Sequence, residues 1–207
     1  MDELKDLNSL SHHVRVRQGQ ALAWQGDESV LVGNVIDGVL KLSFATEDGR
    51  EQTLGVMFPS DFIGRPFGPQ TSHSIIALTD ANVCTFRRSA FDDFARGHPD
   101  LEHKLLKRTL KELDRTRQWM FLLGRKSAYE RIASFLLEMS RRLAGPEAAP
   151  EFELPFSRQE IADLLGLTIE TVSRQFRILR DEGLVETFAR RGVRILDLSR
   201  LEAAAEN

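Results

Sequence analysis

From Asp100 to Leu123 the chain carries neither glycine nor proline, and most residues there are good helix formers. A helix of roughly 35 Å must therefore stand between whatever precedes this stretch and whatever follows it. Leu106, Leu113 and Met120 recur at intervals of seven. The intermediate positions are supplied either by Thr109 and Thr116 or by Leu110 and Arg117. So short a repeat does not specify a coiled coil unaided. Two readings stand side by side. The helix is either a dimer seam formed by Leu106, Thr109, Leu113, Thr116 and Met120, which includes no acid, or a core helix packed on its own domain.

Upstream, from Val14 to Phe94, the sequence is strand-like. Short apolar runs such as Val30-Leu31-Val32, Val39-Leu40-Lys41-Leu42, Leu54-Gly55-Val56-Met57 and Ser74-Ile75-Ile76-Ala77-Leu78 alternate with Gly19, Gly26-Asp27, Asp37-Gly38, Asp48-Gly49 and Ser60-Asp61. Closely spaced short strands with such turns predict a sandwich or barrel, with a loop-rich α+β domain as the alternative. Glu47-Asp48-Gly49-Arg50 reads as a hairpin turn, since Asp-Gly accepts positive φ cheaply.

Downstream, a second helix is predicted over Ser127–Leu143, with Ile132, Phe135, Leu136 and Met139 on one face and Gly145-Pro146 as its stop. Ala148-Ala149-Pro150-Glu151 reads as a loop. Ser157 followed by Glu160 is a capping-box pattern that opens a helix with Ile161, Leu164 and Leu165 inward. Gly166 ends it and permits a tight turn. Thr168 then caps a helix over residues 169–180, with Val172, Phe176 and Leu179 inward and Glu170, Ser173, Arg174, Arg177 and Arg180 outward. Helix, glycine turn and helix is the layout that places a second helix in a major groove.

On that outer face an arginine can donate two bonds to guanine, and a glutamate can accept from cytosine. Glu170 and Arg174 stand at i and i+4, a spacing that equally favours an ordinary surface ion pair. Gly183-Leu184-Val185-Glu186-Thr187-Phe188 and Val193-Arg194-Ile195-Leu196 read as two strands joined by Ala189-Arg190-Arg191-Gly192, a wing. Arg190 and Arg191 in that turn, Arg158 at the first helix's N-terminus, and Thr168, Thr171 and Arg177 on the second helix are the expected phosphate contacts. A solvated basic turn is the plainer account of the wing arginines. Any such binding must be local, because 28 Lys and Arg against 31 Asp and Glu leave a net charge of −3.

The run Ser157-Arg158-Gln159-Glu160-Ile161-Ala162-Asp163-Leu164-Leu165-Gly166-Leu167-Thr168-Ile169-Glu170-Thr171-Val172-Ser173-Arg174 resembles the helix-turn-helix signature of CRP/FNR transcription regulators, on the FNR/FixK side of the family. The likeness extends through Gly19-Gln20, Gly26-Asp27, Asp37-Gly38-Val39-Leu40, Pro59-Ser60-Asp61-Phe62-Ile63-Gly64 and Leu122-Leu123-Gly124-Arg125-Lys126. The resemblance implies an α+β chain made of three parts. These are an N-terminal double-stranded, cupin-like β-barrel (1–98), a long dimerisation helix (99–124) and a C-terminal winged helix-turn-helix (125–207). It also implies a homodimer on double-stranded DNA, contact with RNA polymerase through exposed loops such as Asp48-Gly49-Arg50, and base reading by Glu170, Ser173 and Arg174 in a TTGAT…ATCAA palindrome. Oxygen- or redox-responsive gene control is the matching role. Rival readings are a barrel gated by haem or a small ligand, a cupin-like module that binds no DNA, and a barrel enzyme. The last would want a His/Glu metal cluster and a catalytic constellation that the sequence lacks.

The family's cyclic-nucleotide binders use a phosphate cassette. Here Arg65 stands in place of the ribose-binding glutamate and His73 near the position of the phosphate-binding arginine, which weighs against cyclic AMP. Its oxygen sensors ligate an iron–sulfur cluster with three cysteines near the N-terminus and one in the barrel. Cys84 resembles the barrel ligand and is the chain's single cysteine, so no metal site or cofactor is expected unless a cysteine-bearing N-terminal segment is missing. By itself Cys84 reads as a small buried hydrophobe. None of His12, His13, His98 and His103 has metal-ligand spacing. One cysteine, no apolar run long enough for a membrane span and no signal in Met1–Asp6 point to a cytoplasmic protein.

Overall fold

The computed structural model describes residues 11–49, 51–144 and 151–206. The chain divides into two compact units, residues 1–116 and 117–207. The Met1–Asp6 segment, Arg50, the Gly145-Pro146 stop and the Ala148–Pro150 loop lie outside the described residues.

In the first unit eight strands make two antiparallel four-stranded sheets. One has the order β1 (Ser11–Val16), β8 (Ala81–Arg87), β3 (Leu31–Asp37), β6 (Phe62–Gly64). The other has the order β2 (Ala21–Ala23), β7 (Ser74–Ala77), β4 (Leu40–Ala45), β5 (Glu51–Met57). Alternate residues of both sheets face each other, and Val16, Val35, Leu40, Ile63, Ile75, Ala77, Ala81 and Val83 form the buried core. The predicted punctuation does the folding: Gly38 turns β3 into β4 at φ 83°, and Gly49 closes the β4–β5 hairpin at φ 84° with its amide on the Thr46 carbonyl. A pocket of about 40 Å³ is lined by Leu22, Val32, Ile63, Gly64, Thr71 and Ile75, together with the 28–30 segment.

The strand-like reading breaks at Arg88. Residues Arg88–Arg96 form a helix, α1, rather than a last strand. Its Phe91 and Ala95 join Val32 and Phe86 in a second buried cluster on the outer face of the β1-β8-β3-β6 sheet. Its Asp92 is buried, paired with Arg88 at 3.0 Å and accepting from the Phe67 amide at 3.1 Å. Cys84 is half-buried in β8, opposite His13 and Asn34, and packs on this second cluster.

The long helix α2 runs Pro99–Arg125, 27 residues. The reading of a helix packed on its own domain describes one side of it. On one side Leu101 and Leu105 pack on the Phe86–Phe91 cluster, Arg108 donates to Asn34 at 3.0 Å and Arg115 pairs with Asp61 at 3.4 Å. On the other, Leu106, Leu110, Leu113 and Met120 remain 42–68% exposed. Thr109 and Thr116 turn their hydroxyls back onto the carbonyls of Leu105 and Glu112, at 3.0 and 2.9 Å. No described helix is long and apolar enough to cross a membrane.

Gly33, in the middle of β3, is hydrogen-bonded into the sheet between β8 and β6, and a Cβ there would lie 2.2 Å from the Cys84 carbonyl oxygen. Gly33→Ala is expected to cost about 1–3 kcal/mol, read as a lower urea midpoint for the barrel; an unchanged midpoint contradicts the close approach.

Candidate nucleic-acid interface

The second unit builds outward from α3 (Ala128–Leu143), capped by Ser127 in a reciprocal box with Glu130. Ile132, Phe135, Leu136 and Met139 are buried as their spacing predicts. α4 (Arg158–Leu165) opens with the second expected box: the Ser157 amide donates to Glu160 Oε2 at 2.6 Å, and the Glu160 amide to Ser157 Oγ at 3.2 Å. Gly166 closes α4 in the left-handed region at φ 61°, ψ 42°. Thr168 caps α5 (Ile169–Asp181) by accepting from the Thr171 amide at 3.3 Å.

The two faces of α5 separate as the sequence predicts. Val172, Phe176 and Leu179 are buried, while Glu170, Ser173, Arg174, Arg177 and Arg180 are exposed. Among the described residues no ion pair joins Glu170 to Arg174, and none involves Arg177, Arg190 or Arg191. The Glu170 carboxyl lies below the usual carboxylate range because it accepts from its own backbone amide, and then from Thr168. Thr168 and Thr171 hold their hydroxyls 3.2 Å apart. Gln175 is also buried, a position that the apolar pattern passed over.

Arg158 departs from expectation. Instead of standing free at the α4 N-terminus, its guanidinium lies 3.3 Å from the centre of the Phe176 ring, a cation–π stack that ties α4 to α5. Burial pushes its pKa down to about 10.

The wing is three-stranded. β10 (Val185–Phe188) pairs with β11 (Gly192–Ile195), and β11 with β9 (Glu151–Glu153), so Glu151 belongs to a strand and not to a loop. Phe188 faces Gly192 across the turn, and a Cβ on Gly192 would sit 2.3 Å from the Phe188 ring. The loop of Ala189, Arg190 and Arg191 carries Ala189 at φ 48°, with Arg190 exposed and Arg191 half-buried. Arg194, unremarked in the sequence, is held between Glu151 at 2.7 Å and Glu186 at 2.6 Å. Among the described residues, Arg174 and Arg177 on the outer face of α5 and Arg190 and Arg191 at the wing tip are thus cations without a described ion pair.

The Crp-like helix-turn-helix domain model matches residues 130–204, and the cyclic nucleotide-binding domain model matches residues 13–98. The transcriptional activator protein FnrL of Cereibacter sphaeroides is 40% identical over 205 residues, covering 97% of this chain and 83% of FnrL. The chain belongs to the CRP/FNR family of transcriptional regulators. Among its CRP/FNR relatives, the nitrogen fixation regulation protein FixK of Bradyrhizobium diazoefficiens is 37% identical over 204 residues, covering 98% of this chain and 86% of FixK. The structure of FixK2 from Bradyrhizobium japonicum superimposes with a TM-score of 0.87 at 32% identity, covering 94% of this chain and 96% of that one. The arrangement in this CRP/FNR chain is thus a DNA-binding winged helix-turn-helix, and the resemblance read from residues 157–174 is correct.

Two further features of this regulator escaped the sequence. A last helix, α6 (Leu198–Glu206), buries Leu201, Ala204 and Ala205. Tyr129, in the first turn of α3, donates to Glu182 Oε2 at 2.5 Å, at the C-cap of α5. Burial first, then this hydrogen bond and the Glu182 charge, push the Tyr129 phenol up to about 12. Because the folded value exceeds the free value of about 10, this contact's stabilisation is full below pH ~10 and is lost as pH climbs through ~12. Tyr129 is the chain's one tyrosine, so the tyrosinate absorbance band reports it alone. A midpoint near 12, falling toward 10 in Glu182→Gln, is the expected titration; a wild-type midpoint at 10 contradicts it.

Proposed function

We propose that two copies of this chain bind a palindrome of the TTGAT…ATCAA kind, each laying α5 in a major groove, in oxygen- or redox-responsive gene control. The observation that carries this reading is the outer face of α5, where Glu170, Ser173 and Arg174 stand exposed with Glu170 and Arg174 unpaired to each other. Arg174 suits two bonds to guanine, and Glu170 one from cytosine. Arg177, Arg190 and Arg191, with Thr168 and Thr171 at the start of α5, suit phosphate oxygens. Arg158 must first leave the Phe176 ring to join them, so it ranks behind.

A second copy is the partner that the exposed side of α2 suits. Its leucines and Met120 lie in one stripe, and the threonine hydroxyls between them are already satisfied within the helix. The exposed hairpin at Asp48-Gly49 is the candidate contact with RNA polymerase. The barrel does not suit a cyclic nucleotide. The pocket lined by Leu22, Val32, Ile63, Thr71 and Ile75, about 40 Å³, is small beside the roughly 300–1,000 Å³ of drug-sized ligand sites. His73, moreover, is biased toward its neutral form by burial and then by Arg65. Nor do these residues fit an iron–sulfur cluster, which needs four ligands, since Cys84 supplies one thiolate.

Arg174→Ala is expected to cost about 1–3 kcal/mol per half-site and to relax preference at one base pair, whereas Arg190→Ala weakens all sequences alike and flattens the salt slope by about 1 per protomer. Binding-site selection with each variant separates the two roles, and unaltered discrimination by Arg174→Ala sinks the base-reading assignment. Leu113→Asp sets a carboxylate against its mate in the seam and is expected to give monomers by light scattering; a wild-type monomer, or a variant that still pairs, overturns the seam.

A further inference from the structure

Arg131, on the second turn of α3, is a half-buried cation that uses its whole fork on backbone carbonyls. Its Nε donates to Lys126 O at 2.9 Å, its Nη2 to Leu123 O at 2.7 Å, and its Nη1 to Leu165 O at 2.9 Å. Leu123 lies in the last turn of α2 and Lys126 directly after it, so two of these acceptors belong to the C-terminal end of the long helix. The third is the last residue of α4, immediately before the left-handed Gly166 that aims α5. Carbonyls at helix C-termini carry partial negative charge and lack partners within their own helix. One guanidinium thus satisfies two helix ends at once. A lysine reaches one point where a planar fork reaches three.

We propose that Arg131 is a positioning residue for DNA binding: it locks the helix-turn-helix turn to the end of α2 and so sets the half-site spacing that a dimer accepts. The inference rests on the dimeric, palindrome-binding reading above and adds to it a residue that touches neither DNA nor the second copy. Lys126 braces the same corner, donating to Ser134 Oγ at 2.8 Å and to the Ala205 carbonyl at 2.7 Å. The junction between α2 and α3 is therefore tied on two sides, and Arg131 makes the tie that reaches the turn before α5.

The readout is spacing, which a residue that merely stabilises the fold does not govern. Affinities are measured for three duplexes: the palindrome with half-site centres one helical turn apart, the same palindrome lengthened by about five base pairs, or half a turn, and a single half-site. For the wild type, simultaneous engagement favours the native spacing over the lengthened one by about 10²-fold. In Arg131→Lys that ratio is expected to shrink to within about tenfold, while single-half-site affinity and dimerisation stay at wild-type values. Arg131→Gln is expected to behave alike, and the lysine variant carries the test should the glutamine variant unfold. A ratio kept at the wild-type value in Arg131→Lys overturns the proposal, as does a loss shared equally by all three duplexes. A wild type with no spacing preference instead overturns the dimeric reading beneath it.

Discussion

The inward side of α5 is the constraint on which the rest of the second unit depends. Val172, Phe176 and Leu179 are nearly or wholly removed from water against a core that includes Ile132, Ile161, Leu165, Leu184 and Val193. Side chains packed at crystal-like density leave a helix little freedom to roll. Fixing one stripe fixes the opposite one, so Glu170, Ser173 and Arg174 face solvent because three apolar neighbours cannot. Arg158 adds to this by lying flat on Phe176, joining the two helices of the motif through a ring rather than through a second patch of aliphatic carbon.

The long helix obeys a similar division. Leu101, Leu105, Arg108 and Arg115 commit one side of α2 to the barrel, and the threonines spend their hydroxyls on the helix's own carbonyls. What remains is an uncovered run of leucine and methionine along one side of the helix. One face of the helix thus packs on its own domain, and the other is the face proposed above as a seam.

Periodicity and punctuation made much of this legible. The capping boxes at Ser127 and Ser157, the left-handed Gly166, the Thr168 cap and the three inward positions of α5 each follow from a local rule that packing then reinforces. Local rules fail where a partner distant in sequence decides. Residues 88–96 continue a run of strand-like text, yet they fold as a helix because Phe91 and Ala95 find the outer face of a sheet. The short β9 forms because β11 offers an edge some forty residues later, and α6 because α3 offers a groove for two alanines and a leucine. Arg158 looked like an available cation only so long as the Phe176 ring beside it could not be seen. Arg131 left no signal at all: its three acceptors are backbone atoms, and no side-chain pattern announces them.

The state of the Glu170 carboxyl has a further consequence. Bonds from its own amide and from Thr168 favour the ionised form, and an ionised carboxylate accepts hydrogen bonds without donating any. A protonated acid would offer a hydrogen to thymine or guanine oxygens and blur the distinction among bases. In the base-reading role proposed for this side chain, that bias toward the anion suits a base edge that offers a hydrogen rather than one that offers only a lone pair.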